Sequence, residues 1–131
     1  MNHIKSPDNS DSGIEREIIA KGLTAPRVTI VAVEDNIVAE HYFTARQGAE
    51  AESGGGGTYH LGLGLLTFCV LVLRNGFPIT GESCCASPEN FDAVIGRRIA
   101  RENAVQKIWP LMGYQLKEQL FQREQPPVAP E

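Results

Sequence analysis

The sequence has no excess of basic residues, because 12 Lys and Arg stand against 16 Asp and Glu and give a formal net charge of −4. Proteins that bind DNA without sequence preference usually carry a basic excess, since they neutralise phosphates along a groove. The long helix predicted below also has no accompanying basic strip and no recognisable helix-turn-helix. We therefore expect no DNA partner.

Long apolar runs are missing as well. A helix that spans a bilayer needs ~20 apolar residues, whereas the longest run, residues 65–73, is short and contains Thr67. The N-terminus is polar and acidic, where a secretory signal has a basic and then an apolar segment. We therefore expect a cytoplasmic protein without membrane contact.

Cysteine is scarce, and its positions do not suit a disulfide framework. The three residues are Cys69, Cys84 and Cys85, and an odd number with one adjacent pair fits a reducing compartment. No second pair lies at zinc spacing, and the histidines are scattered. A Cys/His nucleophile built from the pair and His41 has no support in the spacing. The sequence thus predicts no metal, no cofactor and no catalytic residue.

The patterns that are present predict one α+β domain over residues 14–121. It consists of a small antiparallel sheet of about three strands, short N-terminal helices, and a long C-terminal helix packed on the sheet. Residues 1–13 are polar and residues 122–131 are proline-rich, so both are predicted to be disordered tails. Residues 47–58 contain four consecutive glycines and are predicted to form a flexible loop.

Local signals place the N-terminal elements. Ser12 is expected to cap a first short helix and Thr29 a second one. Residues 38–45 alternate in polarity and residues 65–74 are densely apolar, so both segments are predicted to be strands.

Two further signals place the rest of the domain. Asn75-Gly76 predicts a hairpin with a type I′ turn, which needs positive φ at both residues. Ser87-Pro88 predicts a cap and a first-turn proline for a long helix that begins near Asn90. Pro110 is expected to kink or restart that helix.

Positive charge is concentrated in this long helix. Residues 93–110 contain four basic residues and one acidic residue, a net charge of +3, which leaves −7 for the rest of the chain. On a wheel of 100° per residue, Arg97 and Arg101 lie opposite the polar face, among small and apolar residues. We therefore expect both arginines to project into a partly covered place.

Two interpretations of Arg97 and Arg101 stay open. A buried guanidinium must be paired, and acidic side chains such as Glu82 or Glu89, on the same subunit or a neighbour, would pair them. Alternatively, arginines four residues apart can converge on one anion and bind phosphate with both forks. In the second interpretation this helix carries a ligand site.

Other residues are candidates for ligand contacts, each with a plainer alternative. Phe77 follows the predicted turn, where it stacks on a base or belongs to the core. Asn90 and Phe91 open the predicted helix, where free N–H groups favour anions, or Asn90 is only a cap. Arg27 and Thr29 lie in a proline-ordered turn and form a second anion contact or an ordinary surface turn.

The long helix is apolar on many sides, and a strip of small residues runs along it: Gly96, Ala100 and Ala104. Such a strip allows close approach of the sheet below it or of the same helix in a second subunit. Because one small sheet cannot cover all the apolar sides, we expect a homo-oligomer. A dimer is the smallest closed form, and a hexamer would be a trimer of dimers.

The chain resembles a family of small tailed-phage proteins over roughly residues 26–120, apart from the glycine-rich segment. The shared pattern is Ala-Pro-Arg-Val-Thr, an Asn-Gly hairpin, Gly-Glu-Ser, Glu-Asn-Phe-Asp, Gly-Arg-basic-Ile-Ala and Lys-Ile-Trp. That family includes the first family of Thoeris anti-defence proteins. Those proteins bind and sequester the cyclic ADP-ribose-type signal of bacterial TIR enzymes without cleaving it, and some members hold cyclic di- or trinucleotides at separate sites in a hexamer.

The resemblance implies a non-enzymatic protein that suppresses Thoeris- or CBASS-type immunity in the host bacterial cytoplasm. It implies that Arg97 and Arg101 contact phosphate, that Phe77 or Phe91 stacks on adenine, that Asn90 reads a polar edge, and that Arg27 and Thr29 belong to the second kind of site. Two other functions stay open, namely inhibition of a host protein through the arginine-bearing helix and enzymatic degradation of the nucleotide.

Overall fold

The computed structural model describes residues 8–125. The chain folds into helices α1 (Asp11–Ala20) and α2 (Ile30–Asp35), strand β1 (Ile37–Thr44), helix α3 (Ala45–Glu52), strands β2 (Leu66–Leu73) and β3 (Pro78–Cys84), and helix α4 (Ala93–Glu124). Short 3₁₀ turns over Leu61–Leu65 and Pro88–Asn90 precede β2 and α4. The predicted α+β fold is confirmed.

The sheet has three strands in the order β1-β2-β3, and both pairs are antiparallel. Burial alternates along β2, so that Thr67, Cys69, Leu71 and Leu73 are buried while the residues between them are half-buried. Helix α4 packs on the buried face, and its Ile108 is fully inaccessible. The core therefore lies between one face of the sheet and α4.

The small-residue strip of α4 serves this helix-on-sheet contact. Ala100 and Ala104 are fully inaccessible, and a Cβ added to Gly81 of β3 would overlap their backbone. A Cβ on Gly96 would lie 3.2 Å from the Thr67 hydroxyl. Because the strip is covered within one chain, its alternative use as a dimer seam is wrong.

The two N-terminal helices begin at different kinds of cap. Helix α1 starts at Asp11 because the Ser10 hydroxyl accepts from the Gly13 N–H, so the predicted cap at Ser12 is wrong and residues 11–13 are helical rather than part of a tail. The predicted Thr29 cap is confirmed, since its hydroxyl accepts from the Ala32 N–H at 3.0 Å. The rest of the predicted N-terminal tail, residues 1–7, lies outside the described residues.

Helix α3 occupies the first half of the segment predicted to be a glycine-rich loop. Thr44 and Gln47 form a capping box, in which each side chain accepts from the backbone N–H of the other residue. This cap and the alanine-rich sequence after it stabilise a helix through Glu52. The prediction of a loop over residues 47–58 is therefore wrong for residues 47–52, and the consecutive glycines begin just after the helix.

The hairpin between β2 and β3 is confirmed, but its turn differs from the predicted type. Only Gly76 has a positive φ, +92°, and its N–H donates to the Leu73 carbonyl at 2.8 Å while the Leu73 N–H donates to Phe77. These bonds define a three-residue loop that ends in a left-handed glycine, not a two-residue type I′ turn. Asn75 contributes through its side chain, which accepts from the Phe77 N–H at 3.0 Å.

Helix α4 begins later and ends later than predicted. The Asp92 carboxylate accepts from the N–H groups of Val94 and Ile95, which fixes the first turn at Ala93 and leaves Asn90 in a separate 3₁₀ turn. The helix runs through Pro110 to Glu124, so it does not restart at the proline. Residues 122–124 are helical, and the remainder of the predicted C-terminal tail, residues 126–131, lies outside the described residues.

Candidate functional site

Arg101 is fully engaged by two carboxylates. Its Nη1 and Nη2 donate to the two oxygens of Glu34 at 3.1 and 2.7 Å, and its Nε donates to Glu40 at 2.5 Å. The hydrogen bond from Arg101 lowers the pKa of Glu34, and the same carboxylates raise the pKa of Arg101. The arginine is thus paired with acidic side chains, although the partners are Glu34 and Glu40 rather than the expected Glu82 or Glu89.

Arg97, one turn earlier, takes a different position. Its guanidinium carbon lies 5.8 Å from the centroid of the Tyr42 ring, and it forms no ion pair with any residue in the range 8–125. The side chain is exposed in the single chain, which differs from the partly covered position that the wheel predicts. The two arginines therefore do not converge on one anion.

A continuous row of contacts links the two arginines. The Tyr42 hydroxyl donates to Glu40 at 3.0 Å, and Glu40 accepts from Arg101, which also holds Glu34. Burial and the hydrogen bond to Glu40 raise the pKa of Tyr42, so the phenol stays protonated. These contacts hold the Tyr42 ring, over which Arg97 lies, in place.

Arg97 lines a cleft between the start of α4, the end of β1 and the start of α3. This Arg97 cleft has a volume of about 130 Å³ and is bordered by Phe43, Phe91, Gln47 and Thr67. The Phe43 ring also packs on Phe68 of the neighbouring strand, with centroids 5.6 Å apart. A cation beside aromatic rings suits a ligand that has both an anionic group and a flat ring.

Phe91 separates the Arg97 cleft from a second cavity of about 200 Å³, which is lined by Asn90, Cys84 and Cys85 among others. The Cys85 thiol donates to the Ser87 carbonyl at 3.1 Å. The predicted pair Asn90 and Phe91 is thus brought near Arg97, but only Phe91 borders the Arg97 cleft. Because Asn90 lies in a 3₁₀ turn before α4, its predicted place at the opening of the long helix is wrong.

Phe77 lies far from the arginines. Its side chain is 53% exposed and borders a groove with Leu111 and Met112 of α4. Leu111 follows Arg97 by fourteen residues, which is about 21 Å along a helix. The structure therefore does not bring Phe77 together with the other predicted ligand contacts.

Arg27 and Thr29 hold the N-terminal helices together. Arg27 forms an ion pair with Glu15 of α1, and Glu15 also accepts from the Ile30 N–H at 3.0 Å. The Thr29 hydroxyl caps α2. Arg27 borders a groove of about 200 Å³ with Trp109, so these residues form a separate region from the Arg97 cleft.

Three residues of the Arg97 region were missed from the sequence: Tyr42, Phe43 and Gln47. The alternation of β1 already places Tyr42 and Glu40 on one face and Phe43 on the other, but it does not say which face meets α4. The spacing Thr44-x-x-Gln47 is a capping-box signature and was available as a signal for α3.

Across residues 8–125, no group of three or more His, Cys, Asp or Glu side chains is placed to hold a metal ion. In the same part of the chain, no helix has the length and apolar character needed to cross a membrane.

Comparison with known proteins gives one match. The family model described as phage protein (N4 Gp49/phage Sf6 gene 66) family matches residues 28–120. No curated protein and no solved structure matches the chain.

Proposed function

Because this chain belongs to the phage protein (N4 Gp49/phage Sf6 gene 66) family, we propose that it is an anti-defence protein that binds and sequesters cyclic ADP-ribose-type signalling nucleotides. The proposed role is to suppress Thoeris- or CBASS-type immunity in the host bacterial cytoplasm, without cleavage of the signal. The motif resemblance to the first Thoeris anti-defence family supports this ligand class. We propose that cyclic di- and trinucleotides bind at further sites.

The observation that carries the proposal is the unpaired fork of Arg97 at a cleft with aromatic walls. Within residues 8–125, Arg97 is the arginine of the pair that no carboxylate binds, and Phe43 and Phe91 border the same cleft. A nucleotide of this type offers phosphates to the guanidinium and a base to a phenyl ring.

The predicted ligand residues have different roles in this proposal. In the proposal Arg97 contacts phosphate and Phe91, with Phe43, provides the stacking surface. Arg101 supports the site indirectly, because it holds Glu40 and through it Tyr42. Asn90 lies in the adjoining cavity, where it reaches a ligand that extends past Phe91.

The second kind of nucleotide site is proposed at the groove beside Arg27. An anion there would have to compete with Glu15 for the guanidinium, and Thr29 would have to bind while it caps α2. Phe77 is too distant from Arg97 to serve the Arg97 cleft of the same subunit, so its proposed contact there depends on a neighbouring subunit.

The lining of the Arg97 cleft supports sequestration over hydrolysis. A general base must lie within hydrogen-bond reach of the reacting group. The described residues that border this cleft contribute phenyl, hydroxyl, carboxamide, methyl and guanidinium groups, and none contributes a carboxylate, imidazole or thiol.

An oligomer is part of the proposal, because α4 keeps apolar side chains exposed beside the site. Val94, Ile95 and Ile99 are 67%, 52% and 42% exposed in the single chain. Burial of such residues between subunits is favourable by roughly 25 cal/mol per Å² of apolar surface. We propose that a dimer forms through this part of α4 and that three dimers form a hexamer.

The test combines calorimetry with recovery of the ligand. We expect the protein to bind cyclic ADP-ribose-type nucleotide and to release it chemically intact after heat denaturation, as seen by liquid chromatography. Arg97→Ala should weaken binding about 10- to 100-fold, since a hydrogen bond to a charged group contributes roughly 1.5–3 kcal/mol.

The matched control is Arg74→Ala, because Arg74 is exposed after β2 and borders neither the Arg97 cleft nor the proposed dimer interface. It should bind as the parent does. Recovery of a hydrolysed nucleotide, or equal binding by the parent and Arg97→Ala, would contradict the proposal.

A further inference from the structure

Gln47 presents a fixed hydrogen-bond donor at the Arg97 cleft. Its Oε1 accepts from the Thr44 N–H at 2.9 Å, and its own N–H donates to the Thr44 hydroxyl at 3.2 Å. A carboxamide is planar, so a held oxygen also fixes the direction of Nε2. No acceptor among residues 8–125 engages Nε2, and its two N–H groups are free.

The position of Gln47 allows its free N–H groups to donate to a ligand in the cleft. Gln47 borders the same cleft as Arg97, Phe43 and Phe91. Arg97 is a cation that suits phosphate, whereas a neutral carboxamide donor suits a ring nitrogen or a carbonyl oxygen. The cleft thus combines one group for an anion, flat walls for a ring, and one directed donor for the edge of that ring.

We infer that Gln47 determines base specificity at the proposed nucleotide site, by donation from Nε2 to an acceptor on the edge of the base that stacks on Phe43 or Phe91. This inference rests on the proposed function, and it adds a discriminating contact to a phosphate contact. The capping box has two uses here, because it starts α3 and also orients the donor.

The experiment separates the base contact from the phosphate contact by the choice of probes. Cyclic ADP-ribose carries both groups, whereas inorganic pyrophosphate carries only the anion. Affinity for each is measured by isothermal titration calorimetry on the full chain and on two variants, Gln47→Met and Gln47→Glu.

The two variants separate donation from capping. Met has a similar length and no donor, but it cannot close the capping box. Glu closes the capping box as Gln does and carries no donor at neutral pH. Thermal unfolding measures the capping effect in each variant, and circular dichroism confirms the fold.

We expect Gln47→Met to bind cyclic ADP-ribose about 3- to 10-fold more weakly, as the loss of one neutral hydrogen bond predicts. Gln47→Glu should lose more affinity, because its carboxylate also repels the phosphates beside Arg97. Gln47→Met should bind pyrophosphate within twofold of the parent, and Gln47→Glu should keep the parent's thermal stability. The inference would be overturned if Gln47→Met bound cyclic ADP-ribose as tightly as the parent, or if it bound both probes more weakly by the same factor. The proposed function would stand in either case. A parent protein that binds neither probe would overturn the proposed function and this inference with it.

Discussion

The guanidinium carbon of Arg97 lies 5.8 Å from the centroid of the Tyr42 ring, and the Tyr42 hydroxyl donates a hydrogen bond to Glu40. A cation above a ring face is attracted by the electron density of the ring. The ring itself is held because Glu40 is bound by Arg101. Tyr42 therefore links Arg97, which has no carboxylate partner within residues 8–125, to Arg101, which has two.

Tyr42→Leu should loosen Arg97, because it removes the aromatic face while it keeps an apolar side chain. A cation–π contact contributes about 0.5–1 kcal/mol at an exposed site, so we expect nucleotide affinity to fall about 2- to 5-fold in calorimetry. Tyr42→Phe is the control, since it keeps the ring and loses only the hydrogen bond to Glu40. Equal losses of affinity in the two variants would mean that the hydroxyl, not the ring, positions Arg97.

Arg101→Met should lower stability more than it lowers ligand binding. The bidentate contact to Glu34 is partly exposed on both sides, and solvent screening limits such a pair to about 0.5–1 kcal/mol. A double-mutant cycle with Glu34→Gln, followed by urea unfolding, measures this coupling. If Arg101→Met instead weakens binding as much as Arg97→Ala does and unfolds like the parent, then Arg101 itself contacts the anion.

Acidification should release helix α1 through Glu15. The Ile30 N–H, and after it Arg27, lower the pKa of Glu15 from its ordinary value of 4.5. The stabilisation is therefore complete above about pH 4.5 and is lost as the pH falls through the lower folded value. We expect the parent to lose more stability than Glu15→Gln between pH 5 and pH 3.5 in urea unfolding. Parallel pH profiles for the two proteins would exclude this role of the carboxylate.

Gly81→Ala should destabilise the fold strongly, because its Cβ would overlap the backbone of Ala100 and Ala104. Overpacking of a core typically costs about 1–3 kcal/mol, and here the obstacle is backbone that cannot move aside. Gly113→Ala is the control, since an added Cβ there meets nothing within 4 Å and a helical alanine gains about 0.5–1 kcal/mol over glycine. The midpoint of thermal unfolding should fall in the first variant and rise in the second.

The sheet and its hairpin could be predicted because their signals are local. Alternation indicated β1, a dense apolar run indicated β2, and Asn75-Gly76 joined β2 to β3. The turn type was wrong because a three-residue loop and a type I′ turn both favour Asn-Gly. Similarly, the start of α4 was misplaced because Asn and Asp both favour the cap position, and Asp92, not Asn90, caps the helix.

The partners of Arg101 could not be predicted by local reasoning. They lie 61 and 67 residues away in the sequence, and only the packing of α4 on the sheet and beside α2 brings them together. Periodicity predicted a partly covered position correctly for Arg101 and wrongly for Arg97, which is exposed. It could not show that carboxylates saturate Arg101 while Arg97 is left free beside Phe91.

Native mass spectrometry of the parent and of Arg97→Ala, after incubation with a cyclic ADP-ribose-type nucleotide, tests nucleotide sequestration most directly. We expect an oligomeric parent that carries the unaltered mass of the nucleotide, and an Arg97→Ala oligomer of the same size with much lower occupancy. A ligand mass increased by one water, or equal occupancy of the two proteins, would contradict this expectation.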